Sequence, residues 1–99
     1  MTKTSFTKTI NDDFPLLEKY TPILARVHGD GHPELAEVRD IFKAINDKVK
    51  QNDFSQIDLS ADFKQLRIIT NDYTVPSDGC ETYKATYEML ARADQAYHD

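Results

Sequence analysis

The sequence predicts an all-α protein, a four-helix bundle running up, down, up and down. Apolar residues recur with a period of about 3.6 through four successive stretches. Short polar breaks separate those stretches, which favours antiparallel neighbours. No segment alternates apolar and polar residues with period two, which removes the main strand signal. At 99 residues the chain is expected to form a single domain spanning 1–99.

In the first stretch Phe6, Ile10, Phe14, Leu17, Thr21, Leu24 and His28 form one stripe, with Leu16, Tyr20, Ile23 and Val27 beside it. The spacing predicts a helix from Ser5 to Val27. Pro15 and Pro22 each remove a ladder hydrogen bond, so a kink is expected, with a break allowed at Phe14–Pro15. Gly29-Asp30-Gly31 reads as a turn, and Pro33 suits the first position of a second helix, where its missing N–H costs nothing. Leu35, Val38, Ile41, Phe42, Ile45 and Val49 give that helix its apolar face as far as Gln51. After the Asn52-Asp53 break, Ser55 and Asp58 have capping-box spacing. Leu59, Phe63, Leu66 and Ile69 then continue as a third helix to Asn71. Tyr73-Thr74-Val75-Pro76 is a connector and Ser77 the expected N-cap of a fourth helix, whose face is Cys80, Tyr83, Tyr87, Leu90, Ala93 and Tyr97. Phe14, Leu24, Phe42, Ile45, Phe63, Leu66, Tyr87 and Leu90 are the expected centre of the core.

The formal net charge is −5, from 12 basic and 17 acidic residues. Residues 1–51 carry 8 of each sign, whereas residues 52–99 carry 4 basic and 9 acidic groups. Duplex nucleic acid needs the opposite sign in a patch or stripe, so no nucleic-acid partner is expected. No apolar run is long enough to span a membrane, and Met1 to Ile10 is too polar for a secretory leader, so a cytoplasmic location is expected. Cys80 is the only cysteine, which excludes an internal disulfide and a multi-cysteine metal site.

The histidines are His28, His32 and His98. His28 and His32 are four apart, a ligand spacing on one helix, but Gly29, Gly31 and Pro33 break the helix between them. The simpler expectation is that His28 caps the end of the first helix and His32 leads into the second. Asp12 and Asp13, like Glu34, Glu37 and Asp40, read as solvated faces. Cys80 shares an apolar stripe with Tyr83 and Tyr87 and is expected to be buried; a reactive thiol at the helix N-terminus is the alternative. No Gly-rich phosphate loop and no nucleophile elbow is present.

Three stretches resemble one family. Val27-His28-Gly29-Asp30-Gly31-His32-Pro33-Glu34-Leu35 is similar to the VHG-x-x-HP-x-L turn of the repair-of-iron-centres proteins. Ile69 to Pro76, followed by Cys80-Glu81-Thr82-Tyr83-Lys84-Ala85-Thr86-Tyr87, resembles their LT-x-x-Y-x-x-P and AC-x-TYRALY segment. Phe14-Pro15-Leu16-Leu17 fits the apolar-Pro step of their first bundle helix. These are hemerythrin-like di-iron bundles credited with restoring iron–sulfur clusters after nitrosative or oxidative damage. The resemblance implies a hemerythrin-like fold in which histidines from four helices and two glutamates hold two irons.

Carried over residue by residue, those ligands are missing. The first-helix histidine falls on Thr7, the second-helix pair on Asn52 and Gln56, and the third-helix histidine again near Gln56. The fourth-helix pair falls beyond Asp99, with His98 two residues early. His28 matches the family but lies 21 residues from Thr7, roughly 31 Å along a helix. Asn and Gln are poor iron ligands beside imidazole and carboxylate. The expectation is therefore a protein without a metal or other cofactor, not an enzyme, that binds a protein partner or regulates. An active di-iron protein, if the chain is a fragment, or a helical module of unrelated role are the alternatives. Phe6, Phe54 and Tyr97 are expected to form an exposed apolar patch at the end nearest Thr7, joining a homodimer or a hetero-complex. His28, Gly29, His32 and Pro33 are the family-matching turn.

Overall fold

The computed structural model describes residues 2–51 and 58–98. Among these the chain forms four helices and no strand: α1 (Thr2–His28), α2 (Glu34–Gln51), α3 (Ser60–Ile69) and α4 (Glu81–His98). α1 packs against both α2 and α4, and α2 against α3, which is the adjacency of an antiparallel four-helix bundle. No described helix is long and apolar enough to cross a membrane.

α1 is unbroken through Pro15 and Pro22. Both prolines are exposed, and so are Asn11 and Glu18, whose carbonyls lose their amide donors. Water can satisfy those carbonyls, so the break allowed at Phe14–Pro15 does not occur. α2 carries Glu34 and Glu37 in its first turn and Lys48 and Lys50 in its last, complementing the helix dipole at both ends. Ser55 lies outside the described residues. Asp58 stands before α3 and not inside it, where its carboxylate accepts the Ser60 N–H at 3.0 Å.

α3 ends at Ile69, two residues before the expected Asn71. Asn71, Asp72 and Tyr73 all have left-handed backbones, with φ of 51°, 60° and 61°. That run reverses the chain, and side-chain bonds hold it. The Thr70 hydroxyl donates to the Leu66 carbonyl at 2.6 Å and accepts the Tyr73 N–H at 2.9 Å. α4 likewise starts later than Ser77. A turn closed by the Gly79 N–H on the Pro76 carbonyl, at 2.9 Å, intervenes. A Cβ on Gly79 would meet Val75 Cγ1 at 2.7 Å, so that turn requires glycine. Cys80 takes the N-cap position, its carbonyl accepting the Lys84 N–H at 3.0 Å.

All four helices contribute to one core cluster. The expected central residues are buried; the most exposed of them, Phe14, reaches 3%. Leu59 and Leu35 join them at 0% and 1%. Ion pairs follow the same adjacency, Arg92–Asp13 joining α4 to α1 and Lys48–Asp62 joining α2 to α3. Exposed pairs contribute only about 0–1 kcal/mol each, whereas a buried Leu or Phe contributes about 1.5–3 kcal/mol, so packing fixes the fold.

Leu16 and Leu17 are adjacent but 42% and 0% exposed. Leu17→Ala should lower the unfolding free energy by about 2–5 kcal/mol, and Leu16→Ala should change it by about 0.5 kcal/mol or less. Urea unfolding of the two variants checks the helical register; equal losses would contradict it.

Candidate functional site

The turn between α1 and α2 meets the entry to α4. His28 Nε2 lies 3.4 Å from Cys80 Sγ, and His32 Nε2 lies 3.1 Å from both carboxylate oxygens of Asp78. Both imidazoles stand edge-on to Tyr83, with ring centroids 5.3 and 5.7 Å away. The turn is tight. The His32 N–H donates to the His28 carbonyl at 2.9 Å, and a Cβ on Gly29 would collide with the Ala25 carbonyl. Pro33 follows, and its carbonyl accepts the Ala36 N–H at 3.2 Å to open α2. The backbone N–H of His32 thus caps α1, and the His28 ring is free to reach α4.

Cys80 is exposed, not buried. Because α4 begins one residue after it, Cys80 falls off the stripe of Tyr83 and Tyr87. The two histidines turn to different partners, and among the described residues no three His, Cys, Asp or Glu side chains assemble as a metal site. The hydrogen bond from His32 holds the Asp78 carboxyl below its ordinary range. Burial pushes the Tyr83 and Tyr87 phenols up, so both remain neutral.

The opposite end of the bundle corrects the expected partner surface. Phe6 is 4% exposed, its ring edge-on to Phe14, Phe63 and Tyr97 at centroid distances of 6.1, 6.3 and 5.3 Å. Tyr97 is partly buried against the core and its hydroxyl accepts the Leu59 N–H at 2.8 Å. Phe6 and Tyr97 therefore cover one another and form no exposed patch; Phe54 lies outside the described residues. Of the carried-over ligand positions, Thr7 is half-buried on α1, and Asn52 and Gln56 lie outside the described residues. His98 Nδ1 sits 2.9 Å from Asp94 Oδ1.

Asp94 was not singled out by the sequence pattern. Its carboxylate is 8% exposed and accepts two contacts from Arg67 Nη1, at 2.8 and 2.9 Å, and the Tyr73 hydroxyl at 2.7 Å. Burial and the hydrogen bond to the Asp94 carboxylate push the Tyr73 phenol far up. A cleft of about 470 Å³ opens beside them, lined also by Asp72, Gln95 and His98. The available signal was a carboxylate interrupting the Leu90-Ala93-Tyr97 stripe.

Similar proteins exist. The chain is 24% identical over 123 residues to the iron-sulfur cluster repair protein ScdA of Staphylococcus haemolyticus, covering 93% of this chain and 55% of that protein. It is 24% identical over 127 residues to the protein of the same name from Staphylococcus epidermidis, covering 97% and 57%. The chain spans about half the length of the curated relatives it matches. No family model matches it, and neither does any solved structure.

The His32–Asp78 contact predicts a pH effect. A carboxyl with a depressed folded-state value stabilises the protein above the ordinary value of 3.8 and loses that contribution as pH falls through the folded value. Thermal midpoints of the wild type and Asp78→Asn, measured from about pH 7 to about pH 2, should be separated above 3.8 and converge as the pH falls below it. A gap that persists into acid would contradict the assignment.

Proposed function

We propose that this chain is a metal-free binding or regulatory relative of the iron–sulfur cluster repair proteins, working through a protein partner rather than by catalysis. The observation that carries the reading is the aromatic cluster of Phe6, Phe14, Phe63 and Tyr97. It lies beside Thr7, at the end of the bundle where the resemblance places the irons. The apolar rings offer no iron ligand, the Tyr97 hydroxyl is committed to Leu59, and the imidazole and carboxylate that border the cluster, His98 and Asp94, are committed to one another.

Further support comes from what the family-like motifs do in this chain. His28 and His32 of the first motif reach Cys80 and Asp78 beside the second. Thr70 and Tyr73 build the left-handed turn and hold Asp94. Each shared motif thus has a structural task that needs no metal. With the Phe6–Tyr97 end covered, apolar surface open to a partner lies on α1 at Leu16 and Val27 and on α3 at Ile68. The nitrosative and oxidative stress setting of the family is part of the same proposal.

Elemental analysis after aerobic and anaerobic loading with ferrous iron tests the reading. Substoichiometric iron is the expected result. Two irons per chain, with the near-ultraviolet absorption of an oxo bridge, would establish the alternative of an active di-iron protein.

A further inference from the structure

We propose that the outer face of α1 docks one amphipathic helix of a partner protein, a helix with acidic residues along one edge of its apolar stripe. The inference rests on the partner-binding reading above and supplies the chemistry of that partner. Leu16, Tyr20, Ile23 and Val27 follow one another at intervals of four, three and four residues, the seam spacing of a coiled coil. They run beside the core stripe of α1 and not within it. Leu16 and Val27 are 42% and 62% exposed, and Tyr20 and Ile23 are half-buried.

Because α1 is unbroken through Pro15 and Pro22, the four residues hold one face over about 16 Å. The same face continues seven residues back to Thr9, where a groove of about 630 Å³ opens between α1 and α4 with Ala91 and Ala96 in its lining. Single apolar side chains on a surface are ordinary, whereas a continuous track marks a contact site. A seam of this spacing on a straight helix accepts another helix, whose apolar side chains seat between its own.

The charges along the seam select the occupant. Lys19 and Arg26, both exposed, each stand one residue before a seam residue, Tyr20 and Val27. That flanking position sets partner choice between paired helices. Among the described residues α1 makes the ion pairs Lys8–Asp12, Glu18–Lys50 and Asp13–Arg92, and neither Lys19 nor Arg26 takes part in them. Asp12, the acid on the same edge, is already neutralised by Lys8 at 2.8 Å. A second copy laid antiparallel would match Leu16 to Val27 and Tyr20 to Ile23, but it would also set Lys19 against Arg26 twice. Like charges across an interface suppress that pairing. The fitting occupant is a different chain, with acids seven residues apart, about 10 Å along its axis, facing Lys19 and Arg26.

Amide-resolved NMR titration of the full chain with two synthetic helical peptides tests this. Both carry the same leucine seam; one has Glu and the other Lys at every flanking position, so neither pairs with itself. Saturable shifts at Leu16, Lys19, Tyr20, Ile23 and Val27 are expected with the Glu peptide and not with the Lys peptide. Val27→Asp, at an exposed position, should keep a folded spectrum and raise the Kd roughly tenfold or more. Lys19→Glu combined with Arg26→Glu should reverse the preference, so that the Lys peptide binds and the Glu peptide does not. If Val27→Asp fails to fold, the charge-reversed variant decides. Sedimentation of the protein alone should report a monomer. No saturable shift on the seam, equal binding of both peptides, a preference that survives charge reversal, or a dimer that Val27→Asp dissociates would overturn the proposal. Two irons per chain with the charge preference intact would end the metal-free reading and leave this surface standing; substoichiometric iron with no charge preference would do the reverse.

Discussion

The Asp94 carboxylate ties together three parts of the chain with side-chain bonds that the shared core does not supply. α3 lies mainly against α2 and makes few close backbone approaches to α4. Arg67 from α3, Tyr73 from the turn and His98 from the end of α4 all converge on Asp94. The turn is conformationally costly: a left-handed backbone costs about 1–2 kcal/mol per non-glycine residue, and there are three in succession. Bonds to a charged acceptor contribute about 1.5–3 kcal/mol each, so the Tyr73 bond, with a smaller share from the partly exposed Arg67, offsets part of that cost. Removing the carboxylate would leave the turn strained and the partly buried Tyr73 hydroxyl without its protein acceptor.

The same economy appears at both ends of the bundle. At one end His28 and His32 fasten the α1–α2 turn to the segment before α4. At the other, Phe6, Phe63 and Tyr97 close the core, and Tyr97 also accepts the N–H of Leu59, the residue before α3. The end of α1, the start of α3 and the end of α4 are thus held by contacts from other elements. The bundle therefore closes with its own side chains, consistent with the proposal that it needs no iron to complete its core.

The helices were legible because long stripes of period 3.6 leave one solution for which face is buried; Phe14, Phe42, Phe63 and Tyr87 lie where their spacing puts them. What was not legible depends on single backbone conformations. The left-handed run at Asn71–Tyr73 ends α3 early, although none of its residues is glycine. Gly79 moves the start of α4 to Glu81, which takes Cys80 from an expected core position to the surface. Phe6 and Tyr97 were read as exposed because sequence spacing shows which side of a helix is apolar and not which ring fills the end of the bundle. Asp94 was missed for a related reason. It is one polar residue on an apolar face, and its meaning lies in partners distant in sequence, Arg67 and Tyr73.

The central claim is that the folded core is complete without metal. Urea unfolding of chelator-treated protein, with and without added ferrous iron under anaerobic conditions, tests it most directly, because any ligand that binds only the native state raises stability by mass action. The account predicts one cooperative transition with the same midpoint in both conditions. A midpoint that rises with iron concentration, or a chelated protein without a cooperative transition, would contradict it.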